Sequence, residues 1–119
     1  MNNEKSAEHS QLKEMLFDLK KKNILDMWEK QKKANVELFD YEESIMQNTI
    51  PVIAEVLKSL GVYRFTISVQ QSSMQELLYA FSEVGYQLKG LVKIKNWLYD
   101  VNPDYCDETK DAFLLELED

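Results

Sequence analysis

The sequence predicts a single α+β domain, in which N-terminal helices pack on a small mixed β-sheet. Residues Tyr63–Gln70 alternate strictly between apolar and polar side chains, as a half-buried strand does. The segments on either side repeat their apolar residues at helical spacing, and Gly61 and Gly85 stand where each helix would end. We expect the order helix, helix, strand, helix, strand, strand within residues 11–119, after a disordered leader over residues 1–10.

The N-terminal region carries two apolar stripes at helical spacing, separated by Lys20-Lys21-Lys22-Asn23. From Gln11 to about Lys33 we therefore expect either one broken helix or two short helices. Residues 1–10 are polar and lack periodicity, which is typical of a disordered leader. The first stripe consists of Leu12, Met15, Leu16 and Leu19, and the second of Ile24, Leu25, Met27 and Trp28.

The next helix is predicted to begin at Asp40, because Asp40-Tyr41-Glu42-Glu43 has the Asp-x-x-Glu form of a capping box. Its apolar residues keep the helical period as far as Leu60. Pro51 removes one backbone donor inside this pattern. Either the helix bends at Pro51, or Thr49 caps a second helix that begins near Pro51.

The C-terminal half is predicted to hold a short helix and two further strands. Ser72-Ser73-Met74-Gln75 resembles a second capping box, and Gly85 ends the helix that follows it. Residues 86–95 and 112–118 alternate as strands do, and a polar, acidic loop over 100–110 joins them into a hairpin. One face of the first of these strands is expected to hold Tyr86, Leu88, Gly90, Val92 and Ile94, opposite a basic face. The closing strand is expected to point Phe113, Leu115 and Leu117 inward.

The charge of the chain favours a basic protein partner over nucleic acid. The formal net charge is -7 and the isoelectric point is about 4.7, whereas phosphate contacts require a surplus of Lys and Arg. The run Lys20–Lys22 is interpreted as a solvated helix face, because Asp18, Asp26 and Glu29 lie within a turn or two of it. We expect neither free nucleic acid nor a membrane as a partner.

The sequence contains no recognisable catalytic, metal or cofactor motif. Its one histidine, His9, lies in the polar leader, and its one cysteine, Cys106, rules out an internal disulfide. The acidic residues of the loop lack the spacing and the glycine of an EF-hand. No apolar segment has the length of a signal peptide or membrane span. We therefore expect a cytoplasmic, non-enzymatic protein without a cofactor.

Residues 50–118 resemble the C-terminal half of the GCN5-related N-acetyltransferase fold. The resemblance is carried by IPVIAEVLKSLGVYRFTISV, QELLYAFSEVGYQLKGLVKIKN and AFLLELE, in which a helix ending in Gly-Val precedes a strand, a short helix, a strand and a hairpin partner. It implies a half-fold of that family. The alternative function that it implies is a divergent, minimal N-acyltransferase dependent on acetyl-CoA.

The sequence differs from that family in one turn and at one residue that the family uses for its chemistry. The resemblance places the turn that holds the coenzyme A pyrophosphate at Asp40–Ser44, which has no glycine and carries three carboxylates. It places Phe81 where the family has its catalytic tyrosine, and Phe81 has no hydroxyl to protonate a leaving thiolate. Tyr79 lies two residues away on a different face of the helix. The resemblance therefore implies the scaffold without its chemistry.

The most informative surface feature is the distribution of acidic residues. Residues 100–119 contain eight acidic residues and one lysine, and a second acidic run precedes Ser44. Such a surface suits a larger basic protein that processes nucleic acid, and a small inhibitor or accessory factor of a phage or mobile element, similar to anti-CRISPR proteins, is one example. An exposed sheet edge or the N-terminal helices offer surfaces for a homodimer. The predicted partner-binding residues are Glu37, Asp40, Glu42, Glu43, Trp97, Tyr99, Asp100, Asp104, Asp107 and Glu108.

Overall fold

The computed structural model describes residues 2–33, 36, 38–69 and 71–118, without the side chains of residues 2–10 and Trp97. It confirms the α+β class. Within these residues three helices and four strands follow one another along the chain. They are α1 (Asn2–Lys33), β1 (Asp40–Tyr41), α2 (Ile50–Ser59), β2 (Arg64–Ile67), α3 (Met74–Glu83), β3 (Tyr86–Lys95) and β4 (Thr109–Leu117).

Helix α1 is continuous, where the sequence predicted a broken helix or two short ones. The run Lys20–Asn23 lies inside it, because neither Gly nor Pro interrupts the segment and lysine is a good helix former. Residues 2–10, predicted as a leader, form its first turns. The helix buries Ile24 and Met27 against the core, whereas Leu12, Met15 and Leu19 are each more than half exposed.

The segment after α1 forms a short strand, so the prediction that a helix begins at Asp40 is wrong. Asp40 and Tyr41 pair in parallel with Thr66 and Ile67 of β2. A 3-10 turn, Gln47–Thr49, then leads into α2, which begins at Ile50 with Pro51 in its first turn. A helix therefore begins near Pro51, as the second alternative predicted. The predicted Thr49 side-chain cap is not formed, because the Thr49 hydroxyl donates to the Met46 carbonyl.

The four strands form one mixed sheet in the order β1-β2-β4-β3. Strand β4 lies in the middle and pairs antiparallel with both β2 and β3. The predicted hairpin of the last two strands is confirmed, and residues 96–108 form its long connection. Strands β1 and β3 are the two edges of the sheet.

The core lies between one face of the sheet and the helices. Phe65, Ile67 and Leu115 point from the sheet toward α2 and α3, and the Phe65 ring lies 5.5 Å from the Phe81 ring and 5.2 Å from the Tyr86 ring. Phe113 and Leu117 pack half-buried against this core, as the sequence predicted. Helix α2 contributes the largest set of fully buried apolar residues: Ile50, Ile53, Ala54, Val56 and Leu57.

A β-bulge corrects the predicted faces of β3. The register shifts between Leu88 and Gly90, so Lys89 is an extra residue and the alternation changes phase there. Tyr86 and Leu88 lie opposite Leu117 and Leu115, and beyond the bulge it is Leu91, opposite Phe113, that continues this face. Gly90, Val92 and Ile94 therefore lie on the face opposite to Tyr86.

None of the described helices is both long enough and apolar enough to span a membrane.

Candidate protein-binding surface

The connection between β3 and β4, residues 96–108, closes the hairpin of these two strands and is held by its own hydrogen bonds. The Asn96 side chain accepts a hydrogen bond from the Leu98 N–H, and the Asn96 N–H donates to the Glu108 carbonyl across the base of the loop. The Asn102 N–H donates to the Leu98 carbonyl over 2.8 Å. The loop therefore has a defined backbone conformation, which lowers the entropy lost on binding.

Three large apolar side chains of this loop are exposed to solvent. Tyr105 is 89% exposed, Val101 65% and Leu98 41%. Exposed apolar side chains that cluster within one loop are typical of an interaction surface, and tyrosine is a common interface anchor. Sequence reasoning missed these three residues, because a loop has no hydrophobic period that distinguishes inward from outward positions.

Predicted acidic residues are interspersed with these apolar residues along the loop. Asp100, Asp104, Asp107 and Glu108 are all exposed, so the loop brings four of the predicted residues together. The Asp100 carboxylate lies 2.9 Å from the Lys95 ammonium, which offsets part of its charge. Tyr99 is half-buried, and the Trp97 side chain lies outside the described residues. We call the surface of Leu98, Asp100, Val101, Asp104, Tyr105, Asp107 and Glu108 the acidic loop.

Asp40, which the sequence analysis predicted as a partner-binding residue of a second acidic run, is buried. The residue is 2% exposed, and its carboxylate accepts hydrogen bonds from the Thr66 and Ser68 hydroxyls. The Lys110 ammonium lies 3.3 Å from it. Asp40 thus connects β1, β2 and β4, and its buried charge is satisfied within the fold.

The other acidic residues predicted near Asp40 differ in their exposure to solvent. Glu42 is half-buried and accepts a hydrogen bond from the Gln31 amide over 2.7 Å, whereas Glu43 is exposed. Glu37 lies outside the described residues. The structure therefore supports only Glu43 of this group as a surface carboxylate, on a different part of the chain from the acidic loop.

The positions that the acetyltransferase resemblance singles out lie in the core, on the surface of α3 and in and after β1. Phe81 is fully buried between the Phe65 and Tyr86 rings, and Tyr79 is 67% exposed on α3. The residues in place of the pyrophosphate turn form β1 and the bend after it. Among the described side chains, no group of three or more His, Cys, Asp or Glu could hold a metal ion.

Comparisons with known proteins give a family without an assigned function. Curated proteins gave no match. Solved structures gave none either. A family model described as a domain of unknown function, DUF7698, matches residues 23–117. This match includes all four strands, α2, α3 and the part of α1 that reaches the core, and the chain therefore belongs to the DUF7698 family.

Proposed function

We propose that this chain is a non-enzymatic binding protein that contacts a basic surface of a larger protein through the acidic loop. The observation that carries the proposal is the exposure of Tyr105 and Val101 among the carboxylates of Asp104 and Asp107. An apolar anchor supplies binding energy, and the surrounding charges select and steer a basic partner.

The partner class that fits this chemistry is a cytoplasmic protein that processes nucleic acid. Such proteins have positive grooves for phosphates, and carboxylates on a fixed loop can occupy the same positions. Binding there excludes the nucleic acid, so the consequence is inhibition or regulation of the larger protein. An inhibitor similar to anti-CRISPR proteins is the narrowest form of this proposal.

The experiment is a quantitative capture from nuclease-treated bacterial lysate with tagged wild-type protein and loop variants. The test variants are Tyr105→Ala and the double change Asp104→Lys with Asp107→Lys. The matched control is Glu76→Lys with Glu83→Lys, which makes the same change of charge at two exposed residues of α3. We expect a stoichiometric basic protein whose recovery falls at least about tenfold with both loop variants and stays unchanged with the control.

Three outcomes contradict the proposal. Equal losses with the loop and α3 double variants would mean that only net charge matters, and capture that survives both loop variants would place the contact elsewhere. Capture of no protein would also contradict it. In that case acetyl-CoA is added in a thermal melt, because a ligand that binds the folded state raises the melting temperature, and such a rise would favour the acyltransferase alternative.

A further inference from the structure

A groove separate from the acidic loop lies between the C-terminal half of α1, Leu38 and Phe39 just before β1, and the turn from α2 into β2. Its volume is about 580 Å³, within the range of small-molecule binding sites. Gly61 contributes to its wall, and a Cβ atom at Gly61 would have no other atom within 4 Å, so the groove is open at this point. Its apolar walls are formed by Leu25, Trp28, Leu38, Leu60, Val62 and Tyr63.

The walls of the groove combine fixed and exposed apolar surface. The Trp28 ring lies 5.3 Å from the buried Phe39 ring, which fixes its position. Leu25, from α1, is 43% exposed and Tyr63, from the turn before β2, is 64% exposed, and both line the groove. When an apolar ligand covers this exposed apolar area, the area leaves water, and this burial contributes favourably to the free energy of binding.

Two cationic side chains complete the lining. The Lys32 ammonium lies 6.0 Å from the centre of the Trp28 ring. The Arg64 Nε donates to the Glu116 carboxylate over 2.8 Å, and this acidic neighbour offsets the charge of Arg64. Within the described part of the chain, no carboxylate forms an ion pair with Lys32, so this lining presents about one unpaired positive charge beside apolar walls, in a protein whose net charge is -7.

We propose that this groove binds an amphipathic monocarboxylate, a small molecule with an apolar body and one negative head group. The body lies between Trp28 and Tyr63, and the carboxylate pairs with Lys32. One positive charge matches a monocarboxylate better than a phosphate dianion, because a second negative charge would lie unpaired near Glu116. A neutral ligand of the same shape would leave the head-group contact unused.

The test uses decanoate as the probe and the full chain as the protein. Decanoate binding is measured by calorimetry, and its location by amide shifts in two-dimensional NMR spectra. The key variant is Lys32→Gln, and the matched control is Lys33→Gln, which removes a charge from the same last turn of α1. Decanol serves as the ligand without a charge.

We expect saturable binding of decanoate, with shifts concentrated at Leu25, Val62 and Tyr63. Lys32→Gln should weaken binding about fivefold to tenfold, whereas Lys33→Gln should leave it unchanged. Absence of saturable binding at millimolar decanoate overturns the proposal, and so does equal affinity for decanol. Concentration-dependent association of the chain that decanoate does not affect would show that a second copy covers the groove, which also overturns the proposal.

Discussion

At the scale of single residues, Gln31 has a structural role that its residue type does not predict, which is to hydrogen-bond the backbone of Asp40. Its side-chain carbonyl accepts from the Asp40 N–H over 2.8 Å, and its side-chain amide donates to the Asp40 carbonyl over 2.6 Å. One buried side chain thus satisfies both backbone groups of Asp40, as a neighbouring strand would. This explains how a strand of two residues persists at the edge of the sheet.

We predict that Gln31→Leu destabilises the protein by about 3 kcal/mol, because it leaves two buried backbone groups without partners. The measurement is urea unfolding followed by circular dichroism. Lys30→Leu is the control, since Lys30 is the exposed neighbour of Gln31 in the same helix. A loss for Gln31→Leu no larger than that of the control would show that water replaces the lost hydrogen bonds.

At the scale of elements, the turn between α3 and β3 depends on glycine for two reasons. Gly85 has a φ of 101°, and a Cβ atom there would lie 3.1 Å from Leu117 Cδ1. Gly61, at the end of α2, has a φ of 73° and open space around it. We predict a cost of about 2 kcal/mol for Gly85→Ala and of about 1 kcal/mol for Gly61→Ala. Urea unfolding of both variants tests whether Gly85→Ala lowers the free energy of unfolding more than Gly61→Ala does. Equal losses would mean that the Leu117 side chain moves away from the new Cβ atom without cost.

The sequence predicts those elements that depend on local pattern. The helical spacing before Leu60, the glycines that end α2 and α3, and the alternation of β3 and β4 all correspond to observed elements. Strand β1 was predicted as a helix start because its Asp-x-x-Glu pattern is a local signal. The Asp40 carboxylate instead bonds Thr66, which is 26 residues away, and such a contact has no local signature.

The sequence predicts the charges of the candidate surface, but it does not predict which of its side chains are exposed or buried. The carboxylates of the acidic loop follow from composition, because an acidic run in a polar segment between two strands is expected to be solvated. The exposure of Tyr105 and the burial of Asp40 depend on the folded loop and sheet. The loop carboxylates are thus exposed, as a solvated acidic loop predicts, whereas Asp40, which the sequence assigned to a second acidic run on the surface, is buried.

At the scale of the whole molecule, two buried tyrosines make stability depend on pH in alkaline solution. Burial raises the pKa of Tyr41 from 10.0 to about 12, and the Glu43 charge adds to the effect. Burial also raises the pKa of Tyr86 to about 12, with a smaller contribution from Tyr63. In the unfolded chain both phenols meet water and ionise near their ordinary value of about 10.

Between about pH 10 and pH 12 the unfolded chain has therefore released protons that the folded protein still holds. Because the unfolded state binds fewer protons in this window, the contribution of these two phenols to the free energy of unfolding is constant below about pH 10 and falls as the pH rises toward 12. Tyr41→Phe should remove roughly 2 kcal/mol of the loss measured between about pH 9 and about pH 11.5. Urea unfolding at both pH values tests this, with Tyr79→Phe as the control because Tyr79 is exposed on α3. Since all three proteins carry the same lysines, a loss in Tyr41→Phe as large as in the wild type would show that the Tyr41 phenol is hydrated in the folded state.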